Sequence, residues 1–342
     1  MENGRDNSNN ESNIVLTSRV RLARNLRCVP FPDSLDNEKA RDIVKKIDDE
    51  FYNLYDEKEF KTIYLWNRDK ISNYEFIEKH LISPKLISNS EKSAFIINSD
   101  ESTCIMINEE DHLRIQCLKE GLDLEGAFRK ADEIDNKLEE KLDFAFDEKL
   151  GYLTACPTNI GTGLRASVMI HLPALVMEKE IEKVLTAISH LGMTIRGIYG
   201  EGSKSHGNLF QISNQITLGV SEHDIITNII AVINEIINQE YLAREGIIEK
   251  YKYELEDKIY RSIGILKSAV ILGFSECLSL LSYLRLGYEM GIIDNIDKNI
   301  INDLLILSQP SMIQKNQEKI LNKKDLNMKR AELIKNILKN NI

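Results

Sequence analysis

The stretch Ala155-Cys156-Pro157-Thr158-Asn159-Ile160-Gly161-Thr162-Gly163-Leu164-Arg165-Ala166-Ser167-Val168-Met169 is the one around which the chain organises. It gathers a cysteine, a proline, two glycines two apart, three small hydroxyl side chains and an arginine in fifteen positions. Glycine lets the backbone turn where a Cβ would clash, and bare N–H groups in such a turn can cradle an anion. From Leu164 to Leu172 the pattern alternates. Arg165, Ser167, Met169 and His171 fall on one side of an extended chain, with Ala166, Val168, Ile170 and Leu172 on the other. This reads as a loop feeding a strand that buries aliphatics on one face and delivers Arg165 to a ligand on the other. A tight turn before an ordinary strand would also account for the stretch taken alone.

Other segments point the same way. In Thr17-Ser18-Arg19-Val20-Arg21 the two arginines share one side of an extended chain and repel unless an anion lies between them. Asn108-Glu109-Glu110-Asp111-His112-Leu113-Arg114 sets a run of ionisable residues directly after the apolar strand Cys104 to Asn108. Ile195 to Asn208 holds Arg196, Gly197, Gly200, Glu201, Gly202 and Gly207, the composition of a mobile loop that closes over substrates. Between these lie helix patterns at Asp36–Tyr55, Ser72–His80, Glu125–Leu142 and Ala174–His190, and strand patterns at Lys61–Trp66, Ala94–Asn98 and Phe210–Ile216. Ser221 with Asp224 reads as the cap of a strongly apolar helix.

The 342 residues carry a net charge of −10, which disfavours generic nucleic-acid binding. No apolar run reaches the roughly 18 residues that span a bilayer. The polar segment Met1 to Asn13 has no apolar stretch of the secretory kind. Five scattered cysteines without CxxC spacing argue for reduced thiols in the cytoplasm and against a structural zinc. Beyond about Arg244 glycine loops and strand alternation give way to helical repeats, which places a boundary near residue 250. Two units are expected, 14–249 and 250–342, the second all-helical with a basic end.

Arginine suits bidentate phosphate contacts, and Arg19, Arg21, Arg114, Arg165 and Arg196 together would match a nucleoside triphosphate. Walker A, GxGxxG and DFG patterns are absent from the sequence. Ser18-Arg19-Val20-Arg21, Asn108 to Arg114, Cys156 to Ala166 and Ile212-Ser213-Asn214 together resemble the phosphagen (guanidino) kinase family, in unbroken order over residues 14 to 245. The Arg196-to-Gly202 loop and the helical extension resemble the branch that phosphorylates protein arginines.

The resemblance implies an α+β fold, an antiparallel sheet flanked by helices, with a helical C-terminal domain for dimerisation or regulation. It implies transfer of the γ-phosphoryl group of Mg-ATP to an arginine guanidinium, Mg²⁺ being held mainly by the nucleotide. Glu110 would be the base, with Glu201 and Cys156 against the guanidinium. Ser18, Arg19, Arg21, His80, Arg114, Arg165 to Met169 (through Ala166, Ser167 and Val168), Arg196, Gly197 and Gly200 would bind ATP. His80 could equally be a capping histidine, and His112, His171, Glu109 and Asp111 read as structural. Metabolite kinases of the family have an arginine where Tyr199 stands, a glutamate where Lys204 stands, and a long helical domain before the first motif. Only 17 residues precede Ser18 here, so the pocket is expected to stay open to arginines on bulky proteins.

A phosphoarginine-binding motif, Arg-Asp-x-x-Arg-Ala, is degenerate as Leu326-Asn327-Met328-Lys329-Arg330-Ala331. Expected partners are protein substrates with exposed arginines, a zinc-binding activator, a stress-gene repressor, a Clp-type protease and a second copy of the chain. A free guanidino metabolite as substrate, or a non-catalytic scaffold, are the competing readings.

Overall fold

The computed structural model describes residues 14–68, 70–197, 205–315, 317 and 319–339. The N-terminal lead-in and most of the glycine-rich loop, Tyr199, Gly200, Glu201 and Lys204 included, lie outside them. The strands are β1 (Val15–Arg24), β2 (Phe60–Tyr64), β3 (Ala94–Asn98), β4 (Thr103–Ile107), β5 (Leu113–Glu120), a small hairpin β6 (Phe146–Asp147) and β7 (Gly151–Tyr152), β8 (Leu164–His171), β9 (Met193–Gly197) and β10 (Leu209–Asn214). Eight of them form one sheet in the order β2-β3-β4-β5-β1-β8-β10-β9, antiparallel at every pairing.

Before and among the strands run α1 (Asn37–Tyr52), α2 (Lys70–Glu78), α3 (Pro84–Ser88), α4 (Leu124–Glu139), α5 (Pro173–Met177) and α6 (Ile181–His190). The expected single helix from Ala174 to His190 is two. Lys179 takes a positive φ of 61° and turns the chain between them, in the charged run Glu178-Lys179-Glu180 that an apolar stripe cannot cross. The remaining helices are α7 (Glu222–Ser268), α8 (Phe274–Glu289), α9 (Lys298–Leu307), α10 (Pro310–Gln314) and α11 (Lys323–Lys339).

Alternation gives the sheet two unlike faces. Val20, Leu22, Ile115, Cys117, Ala166, Val168 and Ile212 are buried against Ala131, Ile134 and Leu138 of α4 in one core. Burying each of the valine, leucine and isoleucine side chains contributes about 1.5–3 kcal/mol. The opposite face of the central strands carries Arg19, Arg21, Arg114, Gln116, Arg165, Ser167 and Gln211. Toward the β2 edge a second cluster, with Phe76, Leu86, Phe95 and Ile97, covers that face instead. The arginines therefore sit over the middle of the sheet.

The expected boundary near residue 250 falls inside α7. That helix begins with the Ser221–Asp224 capping box and is interrupted at Tyr251 (φ −139°). The core continues through Leu278, Leu281, Leu284, Ile301 and Leu304 of the later helices.

Two polar ties join those helices to the sheet. Glu240 accepts from the Ala174 and Leu175 amides, at 3.0 Å each, directly after β8. Arg244 Nε reaches Glu240 at 2.9 Å and its NH2 reaches Glu289 at 2.8 Å, while Arg285 Nε reaches Glu289 at 2.6 Å. Elsewhere, the Glu78 carboxylate accepts from the Ser311 amide at 2.9 Å at the start of α10. Among the described residues no helix is long and apolar enough to cross a membrane.

Candidate active site

Register assembles the arginines. Arg21 on β1 faces Gln116 on β5 and Arg165 on β8, Arg19 faces Ser167, and Gln211 on β10 faces both Met169 and Arg196. The result is a cavity of about 400 Å³ lined by Arg19, Arg21, Arg114, Arg165 and Arg196 with Glu110, Cys156, Thr158, Asn159, Gly197 and Gln211.

Arg19 donates from Nε to Ser167 Oγ at 3.3 Å and from NH2 to Gln211 Oε1 at 2.7 Å. Arg165 donates to Ser213 Oγ at 3.1 Å. These partners are neutral. They orient the guanidinium groups and leave the charge uncompensated. Arg114 alone of the five has a carboxylate partner among the described residues, Glu109 at 2.7 Å. The Nε of Arg21 is buried without a hydrogen-bond partner among the described residues. Burial, then repulsion from Arg114 and Arg165, pulls Arg19 down to about 10. Burial and the positive charges of Arg19, Arg114 and Arg165 pull Arg21 well below the usual range. Like charges directly opposite on a sheet are destabilising. A polyanion in the cavity would reverse that cost.

Glu110 faces this cluster because its neighbours are held. Asn108 takes a positive φ of 57° and donates to the Ala40 and Lys92 carbonyls at 2.8 and 3.0 Å. Glu109, which binds Arg114 and accepts from Ser83, also accepts from the Glu110 amide at 2.8 Å. Asp111 accepts from Asn25 Nδ2 at 2.6 Å and from the Ala155 amide at 2.7 Å. His112 Nδ1 accepts from the Leu26 amide at 3.2 Å. Glu109, Asp111 and His112 are thus each engaged in holding this segment to its neighbours. The Glu110 carboxylate, half-buried, has no hydrogen-bond partner among the described residues. Burial, with Asp111 and Glu109 close by, raises its pKa against the opposing pull of Arg114 and Lys85.

The loop before β8 is equally fixed. Thr217 Oγ1 donates to the Thr158 and Ile160 carbonyls at 2.9 and 2.8 Å. At Gly161 (φ 113°) an added Cβ would stand 2.2 Å from the Thr217 carbonyl oxygen. Arg24, bridged to Asp135 within the core, donates to the Thr162 carbonyl at 3.0 Å. Cys156 is presented at the cavity, its Sγ 3.1 Å from Thr158 Oγ1.

Not every expected site residue lies here. Ser18 points to the core side, where its hydroxyl donates to the Gly121 carbonyl at 2.7 Å and accepts from the Asp123 amide at 3.0 Å. Ala166 and Val168 also face the core. Each belongs to the buried half of an alternation whose other half carries the arginines. His80 (φ 60°) and Met169 line a neighbouring cavity of about 350 Å³. Gln116 holds the His80 carbonyl at 3.0 Å. Burial, then Arg19, pushes the imidazole down to about 4, so it is neutral.

Arg330 lies apart from the arginine cavity, buried among the C-terminal helices. It donates to the carbonyls of Ser308 (2.7 Å) and Leu272 (2.9 Å) and to Asn327 Oδ1 (2.6 Å), with Ala331 buried beside it. Gly200 and Glu201 are outside the described residues. Gln211, Gln116 and Thr194, whose Oγ1 lies 2.9 Å from the Ser213 hydroxyl that holds Arg165, are site-shaping residues that the sequence does not single out. Only the alternation of Gln211 with Ser213 hints at them.

Among the described residues no group of His, Cys, Asp or Glu is placed to hold a metal ion.

Comparison with known proteins agrees with this geometry. Residues 42–243 match the family model for the ATP:guanido phosphotransferase C-terminal catalytic domain, and 252–341 match the protein-arginine kinase McsB C-terminal domain. The chain is 55% identical over 340 residues to the protein-arginine kinase of Clostridium acetobutylicum, covering 99% of this chain and 100% of that protein. It is 46% identical to the protein of that name from a Geobacillus species, over 96% of this chain and 91% of that one. The crystal structure of lombricine kinase superposes with a TM-score of 0.59 at 25% identity, covering 69% of this chain and 68% of the other. With family model and full-length relatives in accord, the chain belongs to the ATP:guanido phosphotransferase family, in the group whose members are named protein-arginine kinase.

Proposed function

We infer that the protein is a protein-arginine kinase, transferring the γ-phosphoryl group of ATP to arginine guanidinium groups of other proteins. The observation that carries this reading is the facing pair Arg21 and Arg165 with Arg19, Arg114 and Arg196 around one cavity, Glu110 at its rim. Phosphoryl transfer is loose, so charge neutralisation and alignment supply most of the rate. The arginines would cradle the phosphates, and Mg²⁺ would arrive with the nucleotide. The adenosine end would extend along β8 into the cavity beside Met169 and His80.

At neutral pH an arginine with a pKa near 13 costs roughly 8 kcal/mol to deprotonate beforehand. Glu110 instead orients the attacking nitrogen and takes its proton as the N–P bond forms and the bond from Pγ to the leaving ADP oxygen breaks. Cys156 and Glu201 flank the same guanidinium by family resemblance. We propose further that 14–249 is the catalytic unit and 250–342 a dimerising and regulatory one, in the cytoplasm. A zinc-binding activator, a stress-gene repressor and a Clp-type protease are the partners that the resemblance suggests.

The test is mass spectrometry for acid-labile phosphoarginine after incubating the full chain with Mg-ATP and casein. Phosphate on protein arginines, lost in Glu110→Gln, is expected. Faster turnover of free arginine than of protein would move the reading to a metabolite kinase, and no transfer at all would leave a scaffold.

A further inference from the structure

The strand that brings Arg165 and Ser167 to the phosphates carries Met169 two residues further on the same face. By strand rise it lies about 13 Å along β8 from Arg165, a span of the order of an extended nucleoside triphosphate. There the cavity of about 350 Å³ opens, with Leu16, Leu118, Met169 and Leu209 on the sheet side and His80 at one wall. Its outer wall comes from far away in sequence: Asn302, Leu305 and Ile306 of α9. Charged side chains, among them Lys79, Glu101, Lys119 and Glu120, also line it, and an apolar floor with polar groups around it is a usual form of a site for an aromatic base.

Asn302 is oriented. Its Oδ1 accepts from Arg285 NH1 at 2.8 Å. A guanidinium has only donors, so the amide oxygen must face it and Nδ2 is the end left for a ligand. Arg285 is itself fixed through Glu289, Arg244 and Glu240 to the backbone that follows β8. On the far side, Glu78, two residues before His80, accepts from the Ser311 and Met312 amides of α10. The wall is thus referenced to the strand that positions the phosphates and to the segment that positions His80, which is what a specific site requires.

We propose that α9 closes the nucleotide-base site and that Asn302 reads the base, its amide N–H donating to N1 of adenine. This deepens the kinase reading and rests on it. At N1 guanine presents an N–H where adenine presents a lone pair, so the same amide selects against it. The C-terminal helices are then part of the nucleotide site.

The experiment compares wild type with Asn302→Asp and Ile306→Ala as full chains, measuring kcat and KM for Mg-ATP and Mg-GTP, and Mg-ATP binding by calorimetry. Asn302→Asp keeps the acceptor that Arg285 needs and replaces the donor. Its melting temperature should stay at or above that of wild type. Its KM for ATP should rise about tenfold with kcat within about twofold, and the ATP-to-GTP ratio of kcat/KM should fall about tenfold. Ile306, 38% exposed, tolerates Ala without threatening the fold, and its loss should weaken both nucleotides about threefold. Unchanged ATP affinity and unchanged base preference in a folded Asn302→Asp protein would overturn the proposal, as would a change in kcat alone. A wild-type chain that phosphorylates no arginine would sink the kinase reading, and the calorimetric comparison would still decide the base site.

Discussion

Two groups of arginines lie inside this protein, and they are built on opposite terms. Beneath α8, Arg244 and Arg285 share Glu289, and Arg244 also meets Glu240. Burial pushes Glu289 up, but Arg244 and Arg285 outweigh it and hold the carboxylate well below its ordinary range. Over the sheet, Arg19, Arg21, Arg165 and Arg196 have no carboxylate partner among the described residues; burial and the charges of Arg114 and Arg165 pull Arg19 down, and burial with Arg19, Arg114 and Arg165 pulls Arg21 down. The first group is closed and joins elements. The second is open and waits for charge from outside. Unpaired like charges gathered at one cavity mark a binding site better than burial or arginine content does.

The contrast can be tested at both ends. Glu110→Gln should lower kcat by about 10²- to 10⁴-fold with little change in nucleotide KM, measured as phosphate transferred to casein. In wild type the ionised carboxylate is the active form. Activity should therefore fall as pH drops through a pKa raised above that of an ordinary glutamate, and Glu110→Gln should erase that acid limb. Arg244→Met leaves Glu240 and Glu289 short of a partner in the core and should cost about 3–5 kcal/mol of stability in urea denaturation. Arg165→Met should behave in the opposite sense. Mg-ATP binding by calorimetry should weaken about 10- to 100-fold, while the ligand-free protein melts no earlier than wild type, because a repulsion has been removed. Loss of stability comparable to that of Arg244→Met would break the comparison.

The smallest effect concerns His171, whose Nε2 is 2.8 Å from Ser282 Oγ beside Glu289. Burial holds it at about 4 against an ordinary 6.5, so it is neutral in the fold. The unfolded chain takes up the proton first, so this contribution is present above pH 6.5 and is lost as pH falls toward 4. His171→Gln should flatten stability against pH in that window.

How much of this was legible differs from residue to residue. Arg19 and Arg21 show their shared face by spacing alone, and so do Arg165, Ser167 and Met169. The same spacing puts Ser18, Ala166 and Val168 on the core side, which a motif read as one block conceals. Asn108 to Arg114 announces itself as a charged run, but which carboxylate is left over depends on Asn25, Ala155 and Ser83, all distant in sequence. Gln211 and Gln116 are neutral amides without local signature, and their roles appear only once strands pair. The break at Lys179 is not legible because helical residues lie on either side of it and only the positive φ of Lys179 separates them.

The linear chain settles the chemistry on offer: strands by their alternation, helices by their periodicity and caps, and a set of arginines, a glutamate and a cysteine in motifs whose order names the family. Those are short-range properties, written in neighbours a few residues apart. Tertiary structure decides which charges meet. Arg21 faces Arg165 across 144 positions because β1 and β8 pair in one register, and a one-residue slip of either strand would turn its own arginine into the core. The two cavities, the sealed network under α8 and the wall formed by α9 arise from contacts between segments that have no local reason to know of one another.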